Sequence, residues 1–325
     1  MERQKWVVGV DFGGTNTKVG LVSASGRVVR TAVFSSCDIA SPARFLEAIS
    51  GAAESLARSV GMRPAQLRGL CVGAPGPVDV ERGVIHSMVN VPGWREVPLG
   101  PRLERRLRCR CLIENDVHLF ALGEWRFGAG RGARALVCLT LGTGVGGGLI
   151  FDGRLYRGAV GAAGELGHMV IDPRGRRCAC GARGCLEAQV GTAALLSLGR
   201  RAIRQGSEPL CSLVRQARGR LTPELLAAAA RRGDRAARQV WVDIGHSLGV
   251  GLGNLINLLN PDRIVLGGGI ANAWSLFSPG LLRTVRAQAM DVPARAVRIV
   301  RAQLGSHAGI VGAAVLLAQQ PGGGQ

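Results

Sequence analysis

Aromatic residues are scarce in this chain of 325 residues, of which phenylalanine, tryptophan and tyrosine make up only 4%. Lysine is almost absent too, since Lys5 and Lys18 are the only lysines among 41 basic residues. Arginines spread along the whole chain, and no segment of helix-turn-helix length precedes the first predicted strand. We therefore attribute the net charge of +19 to composition bias and expect no nucleic-acid partner.

Long apolar runs are also missing. The longest, around residues 248–259 and 308–318, are rich in glycine or interrupted by asparagine, and they are shorter than the roughly 20 residues that span a bilayer. The apolar stretch Trp6 to Val10 is too short for an export signal. We expect a cytoplasmic chain with no membrane partner, and a hydrophobic content of 47% favours a large core in two domains or one bilobed unit.

Four metal-ligating residues stand close together in the middle of the chain. His168, Cys178, Cys180 and Cys185 form the pattern H-x9-C-x-C-x4-C among glycines. Because a chain without an export signal keeps its thiols reduced, these cysteines are predicted as ligands and not as disulfides. Three thiolates and one imidazole complete a tetrahedral zinc site without a position for water, so we predict structural Zn²⁺.

Two segments of the chain repeat one pattern. A strand leads into Asp11-Phe12-Gly13-Gly14-Thr15, and a second strand and a turn follow. Residues 135–141 likewise lead into Gly142-Thr143-Gly144, followed by a strand and the turn at Asp152-Gly153. The pairing of two such units predicts a duplicated α/β fold with two lobes that face a cleft.

The glycine-rich turns and one carboxylate suggest a reaction. Each turn offers backbone amides and hydroxyls that suit a phosphate chain, and Asp11 adds a carboxylate for magnesium. A strand follows each turn where a P-loop would continue as a helix, so a β-hairpin phosphate grip is predicted. Asn115-Asp116 is typical of a helix N-cap, and Asp116 is alternatively a base that accepts a hydroxyl proton during phosphoryl transfer.

These motifs resemble the ROK family of sugar kinases and repressors, and within it most closely the bacterial glucokinase branch. The resemblance covers nearly the whole chain. The segments that carry it are residues 11–15, Gly73-Ala74-Pro75-Gly76-Pro77-Val78-Asp79, Asn90-Val91-Pro92-Gly93-Trp94, Glu114-Asn115-Asp116, residues 122–130, residues 141–148, Glu165-Leu166-Gly167-His168 and residues 178–187. The chain departs from the family pattern after Asp116, where Val117-His118 replaces the usual small residues.

The resemblance implies an α/β fold of two actin-like ATPase lobes, a duplicated ribonuclease H-like fold with an interlobe cleft. A small N-terminal lobe is expected over residues 1–115, completed by a C-terminal helix at about residues 306–320. A large lobe is expected over residues 116–305, and it contains the zinc knuckle, the segment 168–185 with the four predicted zinc ligands. The resemblance also favours a dimer or tetramer.

The resemblance also implies a role for each site residue. Asp116 would be the general base, and the sugar-binding residues would be Asn90, Asn115, Asp116, Glu165, His168 and Glu187. ATP and Mg²⁺ would be held by Asp11, Gly13, Gly14, Thr15, Lys18, Gly142, Thr143, Gly144, Gly268 and Gly269. His168 would contact the sugar through the ring nitrogen that does not bind zinc.

The expected activity is ATP-dependent phosphorylation of a hexose at its 6-hydroxyl, with glucose as the first candidate and glycolysis as the setting. Other sugars remain open: N-acetylmannosamine, N-acetylglucosamine, fructose or allose. Polyphosphate or ADP is an alternative donor, and a sugar-sensing ROK regulator without turnover is an alternative function. Since only ten residues precede Asp11, a repressor with an added DNA-binding segment is not expected.

Overall fold

The computed structural model describes residues 6–88 and 93–319, and these form two compact units. Of the described residues, 6–88, 93–133, 148–164 and 302–319 form the first unit, and 134–147 and 165–301 form the second. Each unit is built from strands and helices.

The strands of the described residues are β1 (Val7–Phe12), β2 (Asn16–Val22), β3 (Val28–Ser35), β4 (Gly69–Ala74), β5 (Val78–Asp79), β6 (Val84–Ser87), β7 (Arg95–Val97), β8 (Cys111–Asn115), β9 (Ala135–Leu141), β10 (Val145–Phe151), β11 (Arg154–Leu155), β12 (Arg263–Gly267) and β13 (Arg298–Arg301). The helices are α1 (Pro42–Arg58), α2 (Leu99–Leu107), α3 (Asp116–Phe127), α4 (Leu186–Val190), α5 (Thr192–Arg204), α6 (Glu208–Gln216), α7 (Pro223–Arg231), α8 (Arg235–Leu259), α9 (Trp274–Gln288), α10 (Asp291–Ala296) and α11 (Ala308–Gln319).

The first unit is organised by a five-stranded sheet in the order β3-β2-β1-β4-β8. Strands β1, β4 and β8 are parallel, whereas β2 and β3 are antiparallel additions at one edge. The parallel strands β1 and β4 consist almost wholly of buried residues, as expected when both faces of a sheet are covered. A smaller sheet, β5-β6-β7, belongs to the same unit.

Helix α3 packs closely on α11 inside the first unit, and glycines make the approach possible. A Cβ on Gly312 would lie 1.8 Å from the carbonyl oxygen of Leu119, and one on Gly123 would lie 2.3 Å from the carbonyl oxygen of Ala308. Only residues without a side chain allow the two backbones to come so near. The close packing fixes the helix that begins at Asp116.

The second unit has a parallel core of β9, β12 and β13, with β12 in the middle. Its longest helix, α8, packs on α9, where a Cβ on Gly245 would lie 2.3 Å from the carbonyl oxygen of Phe277. Asn260 ends α8 in a left-handed conformation, with φ of 43°, and the chain turns into β12. Among the described residues no helix is long and apolar enough to cross a membrane.

The predicted α/β class and the repeated hairpins agree with these elements. The sequence-based lobe boundary lies between residues 115 and 116, whereas α3 belongs to the first compact unit because it packs on α11. The two divisions therefore differ over residues 116–133, 148–164 and 302–305, and the sequence-based division into lobes stays a prediction.

We predict that replacing Gly312 with alanine lowers the free energy of unfolding by about 1–3 kcal/mol, because the new methyl group collides with the backbone of α3. Gly51 in α1 is the matched control, since a Cβ added there would meet no heavy atom within 4 Å. Gly51→Ala is expected to stabilise the protein by about 0.5–1 kcal/mol through helix propensity. Urea unfolding of both variants measures the difference, and shifts of the same sign would contradict the close packing.

Candidate active site

Two carboxylates meet at the carboxyl ends of the parallel strands of the first unit. In the strand register Asp11 of β1 lies opposite Gly73 of β4, and Gly73 lies opposite Glu114 of β8. Helix α3 begins two residues later at Asp116. A Cβ on Gly73 would lie 3.2 Å from the Cα of Asp116, so the absence of a side chain there lets the start of α3 settle over β4.

The acidity of both carboxyl groups is shifted by this arrangement. Burial raises the pKa of Asp116 to about 7, and the neighbouring negative charge of Asp11 contributes to the rise. Burial also raises the pKa of Asp11, while the ammonium group of Lys18, its partner in the β1–β2 ladder, lowers it. Pairs of desolvated, mutually repelling carboxylates are typical of sites that bind a cation or move a proton.

The first glycine-rich turn lies next to this pair. The backbone N–H of Gly13 donates to the carbonyl oxygen of Asn16 at 3.2 Å, and the hydroxyl of Ser36 donates to the carbonyl oxygen of Gly13 at 2.6 Å. Ser36 also donates its backbone N–H to the carbonyl oxygen of Thr15. A Cβ on Gly14 would meet no heavy atom within 4 Å, so this part of the turn is open for an anion.

Asn115 caps the helix that carries Asp116. Its side-chain oxygen accepts the backbone N–H groups of Val117 at 2.9 Å and His118 at 3.3 Å. The carboxylate of Asp116 accepts the same N–H of Val117 at 2.9 Å. The predicted N-cap is therefore present, and it orients Asp116 at the first turn of α3.

The second glycine-rich turn belongs to the second unit. The N–H of Gly142 donates to the carbonyl oxygen of Gly144 at 3.0 Å, and both the N–H and the hydroxyl of Thr192 donate to the carbonyl oxygen of Gly142. Glu187 accepts the N–H of Val145 at 3.0 Å, and a Cβ on Gly144 would lie 2.5 Å from the same carboxylate oxygen. Glu187 therefore ties this turn to the start of α4.

The other oxygen of Glu187 lies 3.5 Å from the sulfur of Cys178, so the carboxylate connects the turn with the cysteine cluster. The ligand atoms of His168, Cys178, Cys180 and Cys185 all lie within 4.8 Å of one another. The second unit thus brings these four residues together.

The spacing within this cluster suits zinc. Tetrahedral zinc with Zn–S bonds of about 2.3 Å holds two thiolates about 3.8 Å apart. The sulfurs of Cys180 and Cys185 are 3.7 Å apart, and Nδ1 of His168 is 3.7 Å from the sulfur of Cys178. Gly184, with φ of 76°, makes the tight approach possible, since a Cβ there would lie 1.6 Å from the carbonyl oxygen of Asp172. The donor set and its spacing fit a structural metal.

Of the remaining predicted residues, Glu165 lies beside the knuckle, with its carboxylate oxygen 3.8 Å from Nε2 of His168. Nε2 is therefore the ring nitrogen on the side of Glu165, whereas Nδ1 approaches Cys178. Gly268, with φ of 84°, follows β12 and passes so close to Leu141 that a Cβ would lie 2.3 Å from its carbonyl oxygen. Gly269 has open space around its Cα. Asn90 lies outside the described residues.

Some supporting residues gave no sequence signal. Arg157 holds the carboxylate of Glu114 through Nε at 2.9 Å and Nη2 at 2.6 Å, although 43 residues separate them. Ser36 and Thr192 secure the two glycine-rich turns from distant positions in the chain. No local pattern marks such residues, because their partners are fixed only by the fold.

Comparison with known proteins matches residues 7–320 to the ROK family. A glucokinase of Thermotoga maritima is 36% identical over 323 residues, which cover 98% of this chain and 98% of the relative. The DNA-binding transcriptional repressor Mlc of Escherichia coli is 31% identical over 252 residues, covering 77% of this chain and 61% of the repressor.

A solved structure shares the fold. The crystal structure of a ROK family glucokinase from Streptomyces griseus in complex with glucose and AMPPNP superimposes with a TM-score of 0.83 and 32% identity, covering 97% of this chain and 100% of that one. The fold is accordingly the two-lobed actin-like ATPase fold of the ROK sugar kinases. The match over nearly the whole chain shows that this protein belongs to the ROK family.

Proposed function

We propose that this protein is an ATP-dependent sugar kinase that transfers the γ-phosphoryl group of ATP to the 6-hydroxyl of glucose. A sugar kinase that binds ATP is supported by the glucokinase relatives and by the neighbour that holds glucose and AMPPNP. The observation that carries the proposal is the pairing of Asp11 and Asp116 beside an open glycine-rich turn. Such a constellation can order a phosphate chain and deprotonate an alcohol at one place.

Asp116 is assigned the role of general base. An alcohol is a weak nucleophile, and a carboxylate that takes up its proton as the bond to phosphorus forms removes the charge that would otherwise develop. The raised pKa of about 7 suits this task, because the group is a stronger base than an ordinary aspartate and is still substantially ionised at neutral pH. Asn115 supports the role by holding the first turn of α3.

The nucleotide is assigned to the two glycine-rich turns. Gly13, Gly14, Thr15 and Lys18 in the first unit, and Gly142, Thr143 and Gly144 in the second, are proposed to hold phosphate oxygens, with Gly268 and Gly269 on the adenosine side. Asp11 offers a carboxylate oxygen, the ligand type that Mg²⁺ prefers. Mg²⁺ bound there would offset the charge of the transferring phosphoryl group.

The sugar hydroxyls are assigned to Asn90, Asn115, Glu165, His168 and Glu187, with Asp116 at the reacting hydroxyl. Nε2 of His168 supports its part, because this nitrogen faces Glu165 while Nδ1 faces the thiols. Zinc on His168, Cys178, Cys180 and Cys185 would therefore fix the ring orientation of a sugar-binding residue.

We predict that a coupled assay with ATP and Mg²⁺, across glucose, mannose, fructose, allose, N-acetylglucosamine and N-acetylmannosamine, gives the highest kcat/KM for glucose. Asp116→Asn is expected to lower kcat by about 10²–10⁴, because the proton acceptor is lost, while the Kd of glucose changes little. Parallel assays with polyphosphate and with ADP identify the donor.

The matched control for this assay is Asp38→Asn, which removes a carboxylate at an exposed turn of the same unit and leaves kcat unchanged. Near-normal turnover of Asp116→Asn would remove the base assignment. Glucose binding by the native protein without turnover on any sugar or donor would instead favour a sugar-sensing regulator.

For zinc we predict about one ion per chain in the purified protein, lost together with sugar affinity in Cys180→Ser, since a site with one thiolate missing binds the ion weakly. Cys37→Ser is the control, because Cys37 and Cys180 are both exposed thiols. Elemental analysis and glucose titration measure the two effects. A metal-free protein with full sugar affinity would contradict the structural role.

A further inference from the structure

A second charged cluster lies directly behind the proposed base. Glu114, the last residue but one of β8, and His118, in the first turn of α3, have side chains that are only 1% and 3% exposed. Arg157, which follows β11, reaches the same carboxylate from a side chain that is 29% exposed. The proposed chemistry uses none of these three residues.

The two ring nitrogens of His118 each lie within hydrogen-bond distance of an oxygen atom. Nδ1 of His118 lies 2.9 Å from Oε1 of Glu114, and Nε2 lies 3.1 Å from the carbonyl oxygen of Ala163. A carbonyl oxygen can only accept, so Nε2 carries a proton. An ionised Glu114 can only accept as well, so Nδ1 also carries one.

Glu114 is ionised in this setting. Burial raises the pKa of its carboxyl, yet the hydrogen bond and charge of His118 and the guanidinium of Arg157 outweigh burial and hold the pKa below its usual value. The carboxylate also accepts the backbone N–H of Asn115 at 3.0 Å. Both ring nitrogens of the buried His118 therefore face an acceptor, the carboxylate of Glu114 and the carbonyl oxygen of Ala163.

The two outer ends of the cluster belong to one loop, residues 157–163. Arg157 at its start binds Glu114, and the carbonyl of Ala163 at its end accepts from His118. The N–H of Ala163 also donates to the carbonyl oxygen of Arg157 at 2.9 Å, which closes the loop on itself. Between these anchors Val160 is 87% exposed, and Gly158 and Gly161 have φ of 71° and 79°.

No residue of the loop is buried, so its conformation depends on these polar contacts. Along the chain it leads through Gly164 into Glu165, the first of the residues proposed to bind sugar in the second unit. Loss of the contact at Arg157 or of the contact at Ala163 would therefore make the segment that precedes Glu165 more mobile.

We propose that His118 is a positioning residue, an imidazolium that fastens the 157–163 loop to the helix carrying Asp116 and thereby sets the affinity for the sugar. The kinetic part of this inference rests on the proposed function, whereas the protonation and the fastening of the loop do not. The charged groups that face His118 and Asp116 are Glu114, Arg157 and Asp11.

Three measurements on the full chain test the proposal, with His118→Phe, Arg157→Met and the control Arg154→Met, which removes an exposed arginine just before the loop. Spectra of ¹⁵N-histidine protein at pH 7, with the His118 signals identified by their loss in His118→Phe, should show both ring nitrogens protonated. Amide hydrogen exchange over residues 158–164 should be about tenfold faster in His118→Phe and Arg157→Met, and unchanged in the control, as expected for a lost hydrogen bond to a charged group.

In the kinase assay the same two variants should raise the sugar KM by about tenfold while kcat changes less than about twofold, because the loop positions substrate and does not take part in the chemical step. Arg157→Met carries the test if His118→Phe does not fold. An unprotonated ring nitrogen, exchange equal to that of the control, or an unchanged KM would each overturn the proposal, as would a loss confined to kcat. Absence of turnover in the native protein would count against the proposed function alone, since the spectra and the exchange rates need no substrate.

Discussion

The site depends on the burial of two carboxylates that the sheet brings together, Asp11 and Asp116. Asp11 lies at the end of β1 and Asp116 begins the helix after β8, and the strand between them contributes only a glycine at this level. Burial removes most of the water that would stabilise the ionised form, and the nearby charge of Asp11 adds to this effect, so the pKa of Asp116 rises. A bound cation or the proton of an alcohol relieves the repulsion between the two carboxylates, so the arrangement in the free protein favours the proposed reaction.

Glycines at backbone contacts along α3 hold Asp116 in place. Gly73 lets the first turn of α3 lie on the sheet, and Gly123 and Gly312 let the rest of α3 lie on α11. Behind the same helix the buried Glu114 and His118 and the partly exposed Arg157 satisfy one another. The proposed base is thus held by its cap, by backbone packing and by an ionic cluster, and precise positioning is what phosphoryl transfer requires of a protein.

Much of this was predictable from local patterns. The hairpins around Gly13 and Gly142 follow from glycines between β-type runs, and the start of α1 follows from Ser41 before Pro42. The cluster of His168 with the three cysteines follows from metal-ligand spacing, because the four residues lie within one short segment. Where partners are near in sequence, residue type and spacing carry enough information.

Long-range partners were not predictable in the same way. From the sequence, His118 stood out only as a departure from the family pattern, and its contacts with Ala163 and, through Glu114, with Arg157 depend on how the strands are ordered. The extent of each compact unit could not be predicted from the sequence either, because the C-terminal helix α11 joins α3 to the first unit only through tertiary packing. The roles of Asn90 and of the other sugar residues stay predictions.

The pH dependence of the initial rate with glucose and MgATP both far below KM tests the central claim most directly, since it reports the ionisation of the proposed base in the free protein. A base whose pKa lies at about 7 must be ionised to act, so this rate should fall about tenfold per pH unit as the pH drops below about 7. A profile that stays flat down to the ordinary range of aspartate, near pH 4, would contradict the burial of Asp116 beside Asp11.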